Sequence, residues 1–215
     1  MLRSRMMEYL RWDGPLTQQG MVRLRTIGDG SCFFHAICYA VSKEYRTGYY
    51  NDGTVLDRRE YVSRLRRELS DNLSSVVEVD SASGNGVTRY SLLSRGQLES
   101  MSAELPEYSL PNMKALLVSR SSVDNRFNEH VSNCLNIDIY ILSHENEDVY
   151  ITGNDTDILY KDRDSVVILY VEDSQHYELV GVNTGHMIRT VFPYNDEFIL
   201  KIRSRIREVI SSRTG

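Results

Sequence analysis

The stretch TIGDGSCFFHAI, residues 26–37, decides how this chain reads. Cys32 follows Gly28, Asp29, Gly30 and Ser31 directly, and it precedes Phe33, Ile37, Ala40 and Val41, which fall at helical spacing. Glycine and aspartate supply turn conformations, so the cysteine stands where a tight turn meets a helix start. A cysteine kept only for packing has no use for that junction, whereas a nucleophile does. Its ordinary pKa of about 8.5 falls at a helix N-terminus or beside an imidazolium, because the free N–H groups of the first turn face the sulfur. Amides around Gly30 and Ser31 could also hold the oxyanion of a tetrahedral intermediate, commonly about 3 kcal/mol per donor. The stretch prepares acyl transfer and lacks only a base.

Five histidines compete for that role. His35 lies one turn along the same helix and crowds the wrong face of the sulfur. His130 falls mid-helix, His144 at a strand end and His186 after the last strand. His176 has the best setting, opening the strand HYELVGV after the turn EDSQ. Period-two alternation puts His176, Glu178 and Val180 on one face and Tyr177 and Leu179 on the other. Glu178, about 7 Å along that face, is the candidate to accept the imidazole's second N–H and fix its tautomer.

With 215 residues, 41% hydrophobic and 26% charged, the chain suits one soluble domain with a substantial core. A net charge of -5 and a pI near 5.6 argue against nucleic acid as a partner. They do so despite basic clusters at Arg64, Arg66 and Arg67 and at Arg203, Arg205 and Arg207. No segment is apolar enough for a signal peptide or a membrane span. Cys32, Cys38 and Cys134 form no disulfide framework, so the expected setting is a reducing, intracellular one, the cytoplasm, without a membrane partner. The sequons at Asn72 and Asn154 then read as chance matches.

Residues 1–20 read as an N-terminal extension with a short helix ending near Asp13-Gly14-Pro15. MVRLRTI suits a half-exposed strand, and DRREYVSRLRRELSDNLSSVV a helix with Tyr61, Leu65, Leu69 and Leu73 inside and arginines outside. The Gly- and Ser-rich residues 80–96 read as a loop. NRFNEHVSNCL reads as a helix; IDIYILSHE, DVYIT, SVVILYVE and HYELVGV read as strands. The chain ends in an amphipathic helix with Phe198, Ile202, Ile206 and Val209 or Ile210 on one face, packed on the domain as residues 185–215. The expected class is α+β: a small, mostly antiparallel sheet packed between helices.

Two motifs also carry a family resemblance. Asp29-Gly30-Ser31-Cys32-Phe33-Phe34-His35-Ala36-Ile37 resembles the nucleophile motif of ovarian-tumour (OTU) family cysteine proteases, D-G-x-C with aromatic, small and aliphatic followers. Gln175-His176-Tyr177-Glu178-Leu179 resembles the family's histidine motif. Glu129-His130-Val131 leading to Ile137-Asp138-Ile139 resembles the helix-then-strand segment between them. The resemblance implies an OTU-like, papain-type fold with residues 21–184 as its catalytic domain. It implies a deubiquitinase cleaving isopeptide bonds at the C-terminus of ubiquitin or of polyubiquitin chains, needing no cofactor or metal and leaving ubiquitin-like modifiers open. Cys32 is then the nucleophile, His176 the base and acid, and Asp29 an organiser of the oxyanion region. The family places Asp or Asn two residues after the histidine, where this chain has Glu178; Asp13 and Asn183 are alternatives for the third member. The family's frequent Trp-Gly pair is missing near Asp124 and Asn125. Compact, divergent members of the family occur in viruses and intracellular bacteria, where they strip host ubiquitin.

Other readings fail on particular residues. Cys32-x-x-His35 with His130-x-x-x-Cys134 would be a zinc set, but both pairs lie within expected helices, unlike the tight loops of structural zinc. Gly28-x-Gly30 begins a dinucleotide fingerprint, but Phe33 stands at the third glycine and blocks phosphate approach. The rival from another class is the same fold acting as a weak or inactive ubiquitin-binding module.

Overall fold

The computed structural model describes residues 7–79, 85–151 and 156–214. In chain order its strands are β1 (Met7–Tyr9), β2 (Met21–Leu24), β3 (Val76–Val79), β4 (Gly86–Thr88), β5 (Asp138–Ser143), β6 (Asp148–Val149), β7 (Ser165–Val171), β8 (His176–Asn183) and β9 (Ile188–Arg189). Its helices are α1 (Cys32–Val41), α2 (Lys43–Thr47), α3 (Arg58–Leu73), α4 (Arg89–Leu92), α5 (Gln97–Met101), α6 (Leu110–Val118), α7 (Asn128–Leu135), α8 (Thr156–Leu159) and α9 (Glu197–Thr214).

A seven-stranded sheet runs β1-β2-β8-β7-β5-β6, with β9 on β8. Its pairings are antiparallel except that of β5 with β7. All six residues of β5, a near-continuous apolar run, are buried, as expected of a strand covered on both faces of its sheet. Alternation sorts the side chains. Leu24, Ile139, Ile141, Ile168 and Leu179 face Phe33, Phe34 and Ile37 of α1, with α3, α6 and α7 behind. Tyr140, Leu142, Val167, Leu169, Val180 and Val182 face Phe198, Ile199, Ile202 and Ile206 of α9, together with Leu10, Trp12 and Leu16. Each fully buried side chain of this kind contributes about 1.5–3 kcal/mol. The class is therefore α+β, with helices on both faces of a mostly antiparallel sheet.

Local chemistry fixes the ends. The Asp57 side chain caps α3 by accepting from the Arg59 and Glu60 amides, and Asp196 accepts from Phe198 N–H at the start of α9. The crossover from β5 to β7 is pinned by the fully buried Asp138, which takes Arg163 Nε at 2.7 Å and the amides of Lys161 and Arg163.

Several local expectations are corrected. The helix expected before Asp13 is instead strand β1, because Met7–Tyr9 finds an open edge on β2; residues 1–6 lie outside the described residues. Strand β2 is buried at Met21, Val22 and Leu24 rather than half-exposed, since helices cover both faces. The loop expected over residues 80–96 contains β4, paired with β3, and helix α4; residues 80–84 lie outside the described residues, as do Thr152 of the expected strand and the Asn154 sequon. The arginines of α3 are not all outside: Arg66 is buried at 2% exposure. It takes the Val62-Arg66-Leu69-Leu73 stripe that faces the core.

Candidate active site

Helix α1 enters the core directly at its first residue, so Cys32 is buried. Its sulfur meets β8, accepting from the Tyr177 N–H at 3.4 Å. The thiol does not gain the depressed pKa expected of a helix start. Burial is the largest influence and pushes it up, and Asp29 adds to the push; the amides of Tyr177, Phe33 and Cys32 itself pull it down without prevailing.

The loop before Cys32 is clamped from both sides. Asp29 Oδ1 accepts from Ser31 N–H at 3.0 Å, which spends one amide that the sequence reading had offered to an oxyanion. Asp29 also meets His35 Nε2 at 3.2 Å and Arg59 Nε at 3.4 Å. Burial works to raise the Asp29 carboxyl, but the His35 contact and the Ser31 amide hold it below the usual range. His35 is buried, with Nδ1 at 2.5 Å from Tyr45 Oη, and burial lowers its pKa against the pull of Asp29. Gly30 sits at φ +81°, where a Cβ would lie 1.9 Å from Arg120 O, so only glycine fits. From below, Arg66 Nη1 reaches Ser31 Oγ at 2.6 Å and Gly30 O at 3.4 Å.

His176 comes to the same loop. Its Nε2 is 3.1 Å from Thr26 Oγ1, and its Cε1 is 3.8 Å from where a Cβ on Gly28 would be. Thr26 Oγ1 donates its single hydrogen to Tyr177 O at 2.5 Å. The hydroxyl can therefore only accept from the ring, which assigns the proton to Nε2 and leaves Nδ1 as the basic nitrogen. Glu178 does not do this work. It is buried, its Oε2 lies 3.6 Å from Arg23 Nε without a hydrogen-bond partner, and among the described residues no hydrogen bond joins it to His176. The cause is register: Arg23 pairs with Val180 on the neighbouring strand, which brings its guanidinium to the carboxylate. Asn183 is excluded by distance. It ends the strand that His176 begins, roughly 23 Å away at about 3.3 Å per residue, and its amide donates to Tyr9 Oη. Asp13 is exposed, after the buried Trp12.

No family model and no curated protein matches this chain significantly. Solved structures do resemble it. One is an ovarian tumor (OTU) domain in complex with ubiquitin, at 18% identity and TM-score 0.47 over 91% of this chain and 90% of that one. Another is an OTU deubiquitinase from Wolbachia pipientis wMel, at 14% identity and TM-score 0.41 over 80% and 91%. A third is the viral OTU domain protease from Qalyub virus, at 10% identity and TM-score 0.33 over 76% and 94%. All three are OTU domains. Likenesses this loose decide nothing about the reaction, which has to be read from the residues.

Sequence reasoning singled out Cys32, His176, Asp29 and Glu178; the fold brings the first three to one loop-and-strand junction and leaves Glu178 beside Arg23. It missed Thr26, Arg66 and the His35–Tyr45 pair. The signal for Arg66 was its place on the apolar stripe of α3; for Thr26 there was none, since a lone threonine at a strand end has many uses. An open cleft of about 200 Å³ adjoins the junction at Thr26, Ile27, His35 and Tyr45. A cleft of about 230 Å³ lined by Tyr108, Arg126 and Glu129 touches none of these groups. His130 is tied by Nε2 to Leu69 O at 2.8 Å. Among the described residues no group of three His, Cys, Asp or Glu side chains is placed to hold a metal, and no helix is long and apolar enough to cross a membrane.

Proposed function

We propose that the chain is a thiol-dependent hydrolase acting at the C-terminus of ubiquitin, with residues 21–184 as its catalytic domain. The observation that carries this reading is the contact of the Cys32 sulfur with the amide of Tyr177, the residue after His176. Nucleophile and base, distant in sequence, share one junction. The paired sequence motifs supply the substrate class.

In this mechanism His176 Nδ1 takes the Cys32 proton as the sulfur attacks the terminal glycine carbonyl. The Cys32 amide, at the start of α1, faces the developing oxyanion. His176 then gives its proton to the departing lysine amine, and afterwards activates the water that releases ubiquitin. Thr26 keeps the imidazole in the reactive tautomer throughout, and Asp29 holds the loop. Such a substrate places the enzyme inside a cell.

The test is a ubiquitin carrying a C-terminal electrophile. The expected outcome is a covalent adduct on Cys32 that Cys32→Ala abolishes. A folded protein that binds ubiquitin and leaves Cys32 unmodified would overturn it. The second reading, a ubiquitin-binding module with little turnover, is favoured by the burial-raised thiol and by Glu178 turned toward Arg23; binding without an adduct is its signature.

A further inference from the structure

Arg66 is a cation enclosed in the core with all of its donors in use. Nε reaches Leu117 O at 2.7 Å, Nη2 reaches Leu116 O and Ser121 O at 2.9 Å each, and Nη1 reaches Ser31 Oγ and Gly30 O. Its Cζ stands 4.8 Å from the centroid of the Phe34 ring on α1. The acceptors are neutral; among the described residues no carboxylate forms an ion pair with it. The last-turn carbonyls of α6 offset part of its charge. A guanidinium buried on these terms is costly, and Asp29, which forms no ion pair with it, offsets its charge only from a distance.

We propose that Arg66 is a positioning residue of the nucleophile. It fixes the Gly30–Ser31 peptide beneath Cys32 and supplies the positive charge against which the thiolate and the oxyanion form. The peptide is gripped at both ends, its N–H by Asp29 and its C=O by Arg66, so the turn enters α1 in one orientation only. As the proton leaves Sγ for His176 Nδ1, the sulfur gains a negative charge at the residue next to the loop that the guanidinium grips. Burial drives the guanidinium pKa down to about 10, and the charges that oppose this are those of Asp29 and Cys32. A lysine cannot replace it, having no planar fork to span the loop and the end of α6 together.

This inference rests on the thiol-hydrolase reading, and its test separates the two. Carboxamidomethylation of Cys32 by iodoacetamide, read by mass on the Cys32 peptide in the full chain, is followed from pH 6 to 11. Circular dichroism checks folding. Removing a nearby cation shifts a thiol by about one unit or more, so that rise in the midpoint is expected for Arg66→Met. Arg66→Gln retains an amide donor and is expected to show the same rise if the methionine variant fails to fold. Arg66→Lys keeps the charge and the midpoint, yet is expected to hydrolyse a ubiquitin reporter about tenfold more slowly. A folded neutral variant with an unchanged midpoint overturns the proposal, as does a lysine variant with full turnover. Wild-type protein that never cleaves the reporter defeats the hydrolase reading, while the midpoints still judge Arg66.

Discussion

Thr26 can be tested without disturbing the core, because its hydroxyl does two separable things. It accepts from His176 and donates to Tyr177 O. Thr26→Ala removes both, and on the proposed mechanism turnover of a ubiquitin reporter is expected to fall about tenfold or more, since the group that holds the imidazole's tautomer is lost. Thr26→Ser keeps the hydroxyl and should stay within about threefold; a serine variant as poor as the alanine one would show that the methyl, not the hydroxyl, matters. Glu178 gives the contrasting case. Since its carboxylate lies by Arg23, Glu178→Gln should change kcat far less than His176→Ala, which removes the base and costs about 10²–10⁴-fold. Equal losses would mean that Glu178 turns to the imidazole during the reaction.

At the scale of elements, the β5–β7 crossover and the 26–31 loop carry different risks. Asp138→Ala leaves Arg163 without its carboxylate in a closed setting, and a loss of about 3–5 kcal/mol in urea unfolding is expected. Gly30→Ala drives a methyl into Arg120 O; activity should vanish even where the fold survives, because the entry to α1 must tilt. The legibility of these elements in sequence followed their chemistry. Helix α1, strands β5, β7 and β8 and helix α9 announce themselves by long periodic or continuous apolar runs. The short pieces do not: Met7–Tyr9 is a strand only because β2 offers an edge, and the β3–β4 hairpin has no apolar alternation to declare it. The site divides in the same way. Cys32 and His176 stand in turn-and-element contexts visible in one dimension, whereas the contacts of Thr26, Arg66 and Arg23 depend on register and on the arrival of a second element, which no local pattern encodes.

For the whole molecule, two expectations follow from what is buried. Cutting the chain before Glu197 uncovers the sheet face lined by Tyr140, Leu142, Val167 and Val180, and such a fragment should lose cooperative thermal unfolding and bind a hydrophobic dye. Acid should act through the histidines. Burial depresses both His35 and His130, so their contribution to stability is complete above about pH 6.5 and is lost as pH falls through their lowered values. Melting temperatures should therefore decline below about pH 6.5, and less steeply in a His130→Asn variant; a flat profile would refute this. The order of strands carries a last consequence. β2, which leads into Cys32, is sealed to β8, which begins with His176 and lies late in the chain. A nascent chain on the ribosome thus carries Cys32 long before His176, the base assigned to it in the proposed mechanism, emerges. On the proposed mechanism the polypeptide stays inert until β8 has been made and has paired with β2.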